Sequence, residues 1–80
     1  MIEIDAREME HPLPLEVTVE EFRNLKDSEV IHLIHRREPL PLFEIISKNG
    51  GFYHSYQSDD EAWHILITRD SHINLEHFRV

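Results

Sequence analysis

The chain contains no cysteine, and that absence excludes several chemistries at once. Disulfides, zinc–thiolate sites, iron–sulfur ligation and persulfide carriage each need a sulfur nucleophile or ligand. Basic residues are scarce. Eight Lys and Arg against sixteen Asp and Glu leave a formal charge of −8, a field that repels phosphate backbones and argues against a nucleic-acid partner. Arg36-Arg37 is the only adjacent basic pair. No apolar run approaches the roughly 18 to 20 residues of a bilayer span, and Met1-Ile2-Glu3-Ile4-Asp5 puts acid where a signal peptide carries a basic head. A cytoplasmic protein with no membrane partner is expected. A Gly-rich phosphate loop, a nucleophile elbow and a local Ser-His-Asp signature are all missing, so no enzymatic constellation is expected.

What is present is enough for one small domain. The 80 residues leave room for a single core, and apolar side chains are spread along the whole chain, as a compact fold requires. Ile2 and Ile4 alternate with Glu3 and Asp5, the period of a half-buried strand, which runs into the turn His11-Pro12-Leu13-Pro14. Leu15, Val19, Phe22 and Leu25 then form one helical stripe. Two starts compete for this helix: Pro12 or Pro14 in the first turn, or a capping box at Thr18-x-x-Glu21. The earlier start is preferred. Val30-Ile31-His32-Leu33-Ile34 is nearly continuous and β-branched, the pattern of a central strand. Pro41 opens a second helix with Leu42, Ile45 and Ile46 inward, and Asn49-Gly50-Gly51 stops it.

Residues 52–58 and 62–68 predict a hairpin turning at Asp59-Asp60. A two-residue turn pairs Gln57 with Ala62 and Tyr56 with Trp63, which sets Phe52, His54, Tyr56, Trp63, Ile65 and Ile67 on the face beneath the helices. The other face then carries Tyr53, Ser55, Gln57, His64 and Leu66, and a slip of one residue exchanges the sets. The order strand, helix, strand, helix, strand, strand gives an α/β (α+β) fold: a two-layer βαβαββ sandwich with a mixed four-stranded sheet and two helices on one face. This unit covers residues 1–68. Residues 69–80 form a C-terminal extension in which Ile73, Leu75, Phe78 and Val80 are too apolar for a free tail. The extension adds a strand, covers the open sheet face, or docks on another subunit.

The strand end Asp5-Ala6-Arg7, the turn Met9-Glu10-His11-Pro12-Leu13-Pro14 and the helix after it resemble the TusA (SirA-like) sulfur carriers, which open with an Asp-Ala strand end and a Cys-Pro-x-Pro turn. Arg37-Glu38-Pro39-Leu40-Pro41-Leu42 and Gly51-Phe52 are similar to a TusA-related branch known only as a domain of unknown function. The resemblance spans about residues 2 to 68 and implies the same βαβαββ sandwich. It does not imply the family's chemistry. Those carriers hold a persulfide on the Cys of the turn, and His11 stands in that place here. Imidazole cannot hold transferable sulfane sulfur, so sulfurtransferase activity is not expected.

The seven histidines are the unusual feature of the composition. His11 precedes a helix start, where free amides and the helix dipole favour an anion. Arg36, Arg37 and Glu38 follow the central strand, near where open α/β folds bind ligands. His11, Pro12, Pro14, Arg36, Arg37 and Glu38 are thus the candidate surface for a protein partner or small anionic ligand. His32 and His35 point to opposite faces of their strand and cannot share an ion. His54 is expected among core aromatics, hydrogen-bonded or serving as a ligand. No cofactor is specified by a motif; a metal ion is the alternative, with His11, His54 and His64 as its candidate ligands. Asp59, Asp60 and Glu61 read as a solvated turn.

Overall fold

The computed structural model describes residues 1–78. Val80, expected to be part of the apolar extension, lies outside the described residues. The order is β1 (Ile2–Asp5), α1 (Leu13–Arg23), β2 (Val30–His35), α2 (Leu40–Lys48), β3 (Phe52–Gln57), β4 (Trp63–Thr68), and one 3-10 turn at Leu75–His77. Sheet order is β1-β2-β4-β3. β1 pairs parallel to β2, as a strand-helix-strand crossover favours, while β4 runs antiparallel to both of its neighbours. β2 is therefore internal, as its unbroken apolar run predicts.

Both helices start at prolines. α1 takes the earlier of its two possible starts, with Pro12 at the N-cap, and Thr18 is a fully buried interior residue, not a cap. The line laid on the sheet is Pro14, Thr18 and Phe22, with Leu15, Val17 and Val19 half-buried beside it. In α2 the buried residues are Leu42, Phe43 and Ile46. Phe43 joins the expected Leu42 and Ile46 inward, whereas Ile45 is only half-buried, and Phe43 stacks on Tyr53 at 4.2 Å between ring centroids. The chain leaves α2 through Gly50 at φ 75°, the left-handed cap for which glycine is suited. Gly51 then passes so close to Ile46 and Phe22 that a Cβ there would stand 2.6 Å from both.

Arg69, just after β4, ties the far ends of the helices together. Its guanidinium lies 4.1 Å from the centre of the Phe22 ring and donates to Phe22 O (3.0 Å) and Asn49 O (3.3 Å).

The hairpin corrects one expectation. Gln57 pairs with Trp63, Tyr56 with His64 and His54 with Leu66, one residue away from the predicted register. The loop holds three residues instead of two: Ser58 N donates to Ala62 O, Glu61 N donates to Ser58 O, and Glu61 takes φ 68°. That is the three-residue hairpin loop closed by a left-handed residue. β4 faces as predicted, with Ile65 and Ile67 in the helix-covered core and Trp63 packed against it. β3 is inverted, so Phe52, His54 and Tyr56 lie on the opposite face.

Of the three routes left open for the extension, the chain takes the second. Ile73, Leu75 and Phe78 pack with Val30, Leu66 and Tyr56 on the face away from the helices. Among the described residues, no helix is long and apolar enough to cross a membrane.

Candidate functional site

The turn before α1 and the loop before α2 meet over the C-terminal end of β2. Between them lies a cleft of about 500 Å³ lined by Met9, Glu10, His11, Pro14 and Leu15 from one side and by His35, Arg36, Arg37, Glu38, Pro39 and Pro41 from the other. Buried Leu33 and Leu42 form its apolar floor. Five of the six predicted surface residues line it: His11, Pro14, Arg36, Arg37 and Glu38. Pro12 stands beside it as the N-cap of α1, following a cis His11–Pro12 peptide.

Fewer free amides remain at the helix starts than the sequence suggests. Free amides at the helix starts were to favour an anion, but Pro14 and Pro41 have no N–H. Leu13 N already donates to Glu10 O, Leu40 N to Glu38 O, and Leu42 N and Phe43 N to Pro39 O. Among the described residues, Leu15 N, on the cleft wall, has no backbone acceptor in the turn, so one amide of the α1 start stays open to an anion beside the side chains. Arg36 reaches across to Met9 O at 3.4 Å, which links the two walls. Arg37 N donates to His35 Nδ1 at 3.0 Å, leaving the exposed Arg37 guanidinium to project from a fixed backbone. Glu38 accepts a hydrogen bond from Ser55 Oγ at 3.4 Å.

His35 is a lining residue that sequence reasoning passed over. Burial, and then the adjacent Arg36 and Arg37, lower its pKa from the ordinary histidine value, so it enters the cleft as a neutral imidazole. The signal was available: odd-numbered residues of β2 share the helix face with Ile31 and Leu33, and His35 is the last of them.

The metal set His11, His54 and His64 does not assemble. His11 is in the cleft, on the helix side, while His54 and His64 lie on the other face of the sheet. His54 is not in the core; the shifted register places it half-buried beside Tyr56, with ring centroids 6.0 Å apart. Both ring nitrogens of His64 are engaged, Nδ1 with His32 Nε2 at 2.9 Å and Nε2 with Ser58 Oγ at 3.0 Å. Among the described residues, no three His, Cys, Asp or Glu side chains are grouped to hold a metal ion. His32 and His35 do point to opposite faces: His32 is buried against His64, while His35 lines the cleft. Burial first, and then His64, lower the His32 pKa, against an opposing pull from Glu3.

No curated protein matches the chain. Among solved structures, it is similar to the SirA-like protein of Desulfitobacterium hafniense, with a TM-score of 0.77 and 18% identity over 89% of this chain and 100% of that one. Such a likeness shows the fold and leaves the chemistry to the site itself. Residues 3–69 match the family described as "Uncharacterized conserved protein (DUF2249)", and with this mixed sheet under two helices the chain belongs to that family, on a SirA/TusA-like fold.

Proposed function

We propose that this chain is a non-enzymatic binding or adaptor domain that holds an anionic group, free or carried on a protein partner, in the cleft between its two helix starts. The observation that carries this reading is the convergence of His11, Arg36 and Arg37 over an apolar floor in a chain whose overall charge is −8. Glu10 and Glu38 line the same cleft, so selection of an anion rests on directed arginine donors and not on net charge, while the wider field repels polyanions. Arg37 offers a planar donor fork matched to carboxylate or phosphate. Leu13 and Leu40, exposed at the two helix starts, add apolar surface of the kind a protein segment covers. Sulfur carriage has no part in this function, because the chain has no thiol to hold a persulfide.

Backbone NMR titration with inorganic phosphate, and separately with a short peptide ending in a free carboxylate, tests the proposal. Shift changes are expected at residues 9–15 and 35–42 with at least one probe, and their loss in a folded His11→Ala, Arg37→Ala double variant. Changes that persist in that variant, or no response to either probe, would overturn it.

A further inference from the structure

The face of the sheet opposite the helices carries a row of polar side chains that the cleft does not use. Glu3 Oε2 is 3.4 Å from His32 Nδ1; His32 Nε2 is 2.9 Å from His64 Nδ1; His64 Nε2 is 3.0 Å from Ser58 Oγ; and Ser58 Oγ donates to Asp60 Oδ1. The two imidazole planes differ by 20° with centroids 5.1 Å apart. Combined with the short N···N distance, this places the bond edge to edge in the ring planes.

Protons can be counted along the row. Its successive contacts are Glu3–His32, His32–His64, His64–Ser58 and Ser58–Asp60, and each needs one hydrogen to be a hydrogen bond. With both rings neutral and both carboxylates ionised, the only hydrogens are one per ring and one on the Ser58 hydroxyl. One contact must therefore go without, and it is the first. Ser58 gives its hydrogen to Asp60, the closer of its acceptors, with Ala62 O at 3.2 Å. His32 Nδ1 is buried with no hydrogen-bond partner, at ion-pair distance from Glu3 but outside hydrogen-bond geometry.

We infer that His32 and His64 together form a binding site for a single proton, which enters at His32 Nδ1, closes the open contact to Glu3 and fastens the β1 edge to the hairpin turn. A second proton has no place in the row. It would break the His32–His64 bond and set two cations against each other in a partly buried site. The remaining groups facing the pair agree with one charge. Tyr56 of β3 lies parallel to His64, centroids 5.0 Å apart at 9°, and a π face attracts a cation; His54 lies beyond Tyr56. Asp5, on the same face of β1 as Glu3, is occupied by Arg7 at 2.7 Å, and Arg7 also acts on Asp60 through space. β4 adds Leu66 and Thr68, and the C-terminal segment packs Ile73, Leu75 and Phe78 on this face.

The test is an NMR titration of the intact chain across the histidine range, following the ring nitrogens of His32 and His64 and the Glu3 carboxyl carbon. All three are expected to move at one shared midpoint, with one proton taken up by the two rings together. Glu3→Gln, at an exposed position, should move that midpoint to lower pH by about half a unit or more. Two separate midpoints of one proton each, a Glu3 carbon that does not follow, or a midpoint unchanged in Glu3→Gln would overturn the inference.

Discussion

The two faces of the sheet are built from the same strands and differ in what they bury. Beneath the helices, Ile31, Leu33, Ile65 and Ile67 are fully enclosed and join Ile4, Phe22, Leu42 and Ile46 in one continuous cluster. The opposite face has a smaller apolar cluster, with Val30, Leu66 and Leu75 as its buried members, and next to it the row from Glu3 to Asp60. The helix face depends mainly on shape and volume, with the buried Thr18 hydroxyl, which has no hydrogen-bond partner among the described residues, as its polar exception. The other face also needs every hydrogen placed, because a buried polar atom without a partner costs free energy that a methyl group does not.

Core truncation should show the contrast at its largest. Ile65→Ala is expected to lose about 2–5 kcal/mol. Leu75→Ala, beneath a short surface segment able to settle into the gap, should lose distinctly less in the same urea unfolding experiment. Equal losses would mean that the C-terminal segment belongs to the core as fully as the helices do.

A smaller difference should appear on acidification. The folded-state pKa values of His32 and His35 are both lowered, with burial the leading cause, so the unfolded chain binds protons at these rings more tightly than the folded one does. Their contribution is fully present above the unfolded histidine value of about 6.5 and is lost as pH falls from there through the folded values. Unfolding free energy measured by urea at a series of pH values should therefore decline on that side. His32→Gln should flatten the part of the decline that belongs to the second face; an unchanged slope would assign all of it to His35.

The smallest effect concerns the turn that orients β3. Glu61 has φ 68°, a conformation that costs a side-chain-bearing residue roughly 1–2 kcal/mol and glycine little. After the greater chain entropy of glycine is set against that relief, Glu61→Gly should stabilise by about 1 kcal/mol or less, with the Tyr56–His64 pairing retained in amide NMR. A shifted pairing would show that register is held by the side chain and not by the loop length.

Element order was legible because it rests on local signals: alternation in β1, an unbroken β-branched run in β2, prolines at both helix starts and glycines after α2. Most of the cleft was legible for the same reason, since its walls are the two proline-marked turns at the end of an internal strand. The facing of β3 was not. Phe52, Tyr53, His54, Ser55 and Tyr56 put aromatic and polar groups on both parities, so the pattern cannot choose a side, and Asp59, Asp60 and Glu61 are equally suited to a loop of either length. The pairing of His32 with His64 needed more still, because it exists only once β4 inserts between β2 and β3. Its register with β2, where His32 faces Leu66 and Ile34 faces His64, is set by contacts far apart in sequence. Thr18 reads in the sequence only as a possible cap for a simpler reason: a polar residue in the middle of a buried helix line gives no hydrophobic signal.

Arg69 gives the cleft a dependence on a residue at the opposite end of the domain. Both helices begin at the mouth and finish near its guanidinium, which grips a carbonyl from the tail of each. The pair is thus tethered by Arg69 at one extremity and bridged at the other by the longer contact of Arg36 with Met9 O, like tweezers joined at the base. Under the proposed function, a guest that widened the opening would turn the arms about that joint, and a side chain remote from the cleft would share in setting its width.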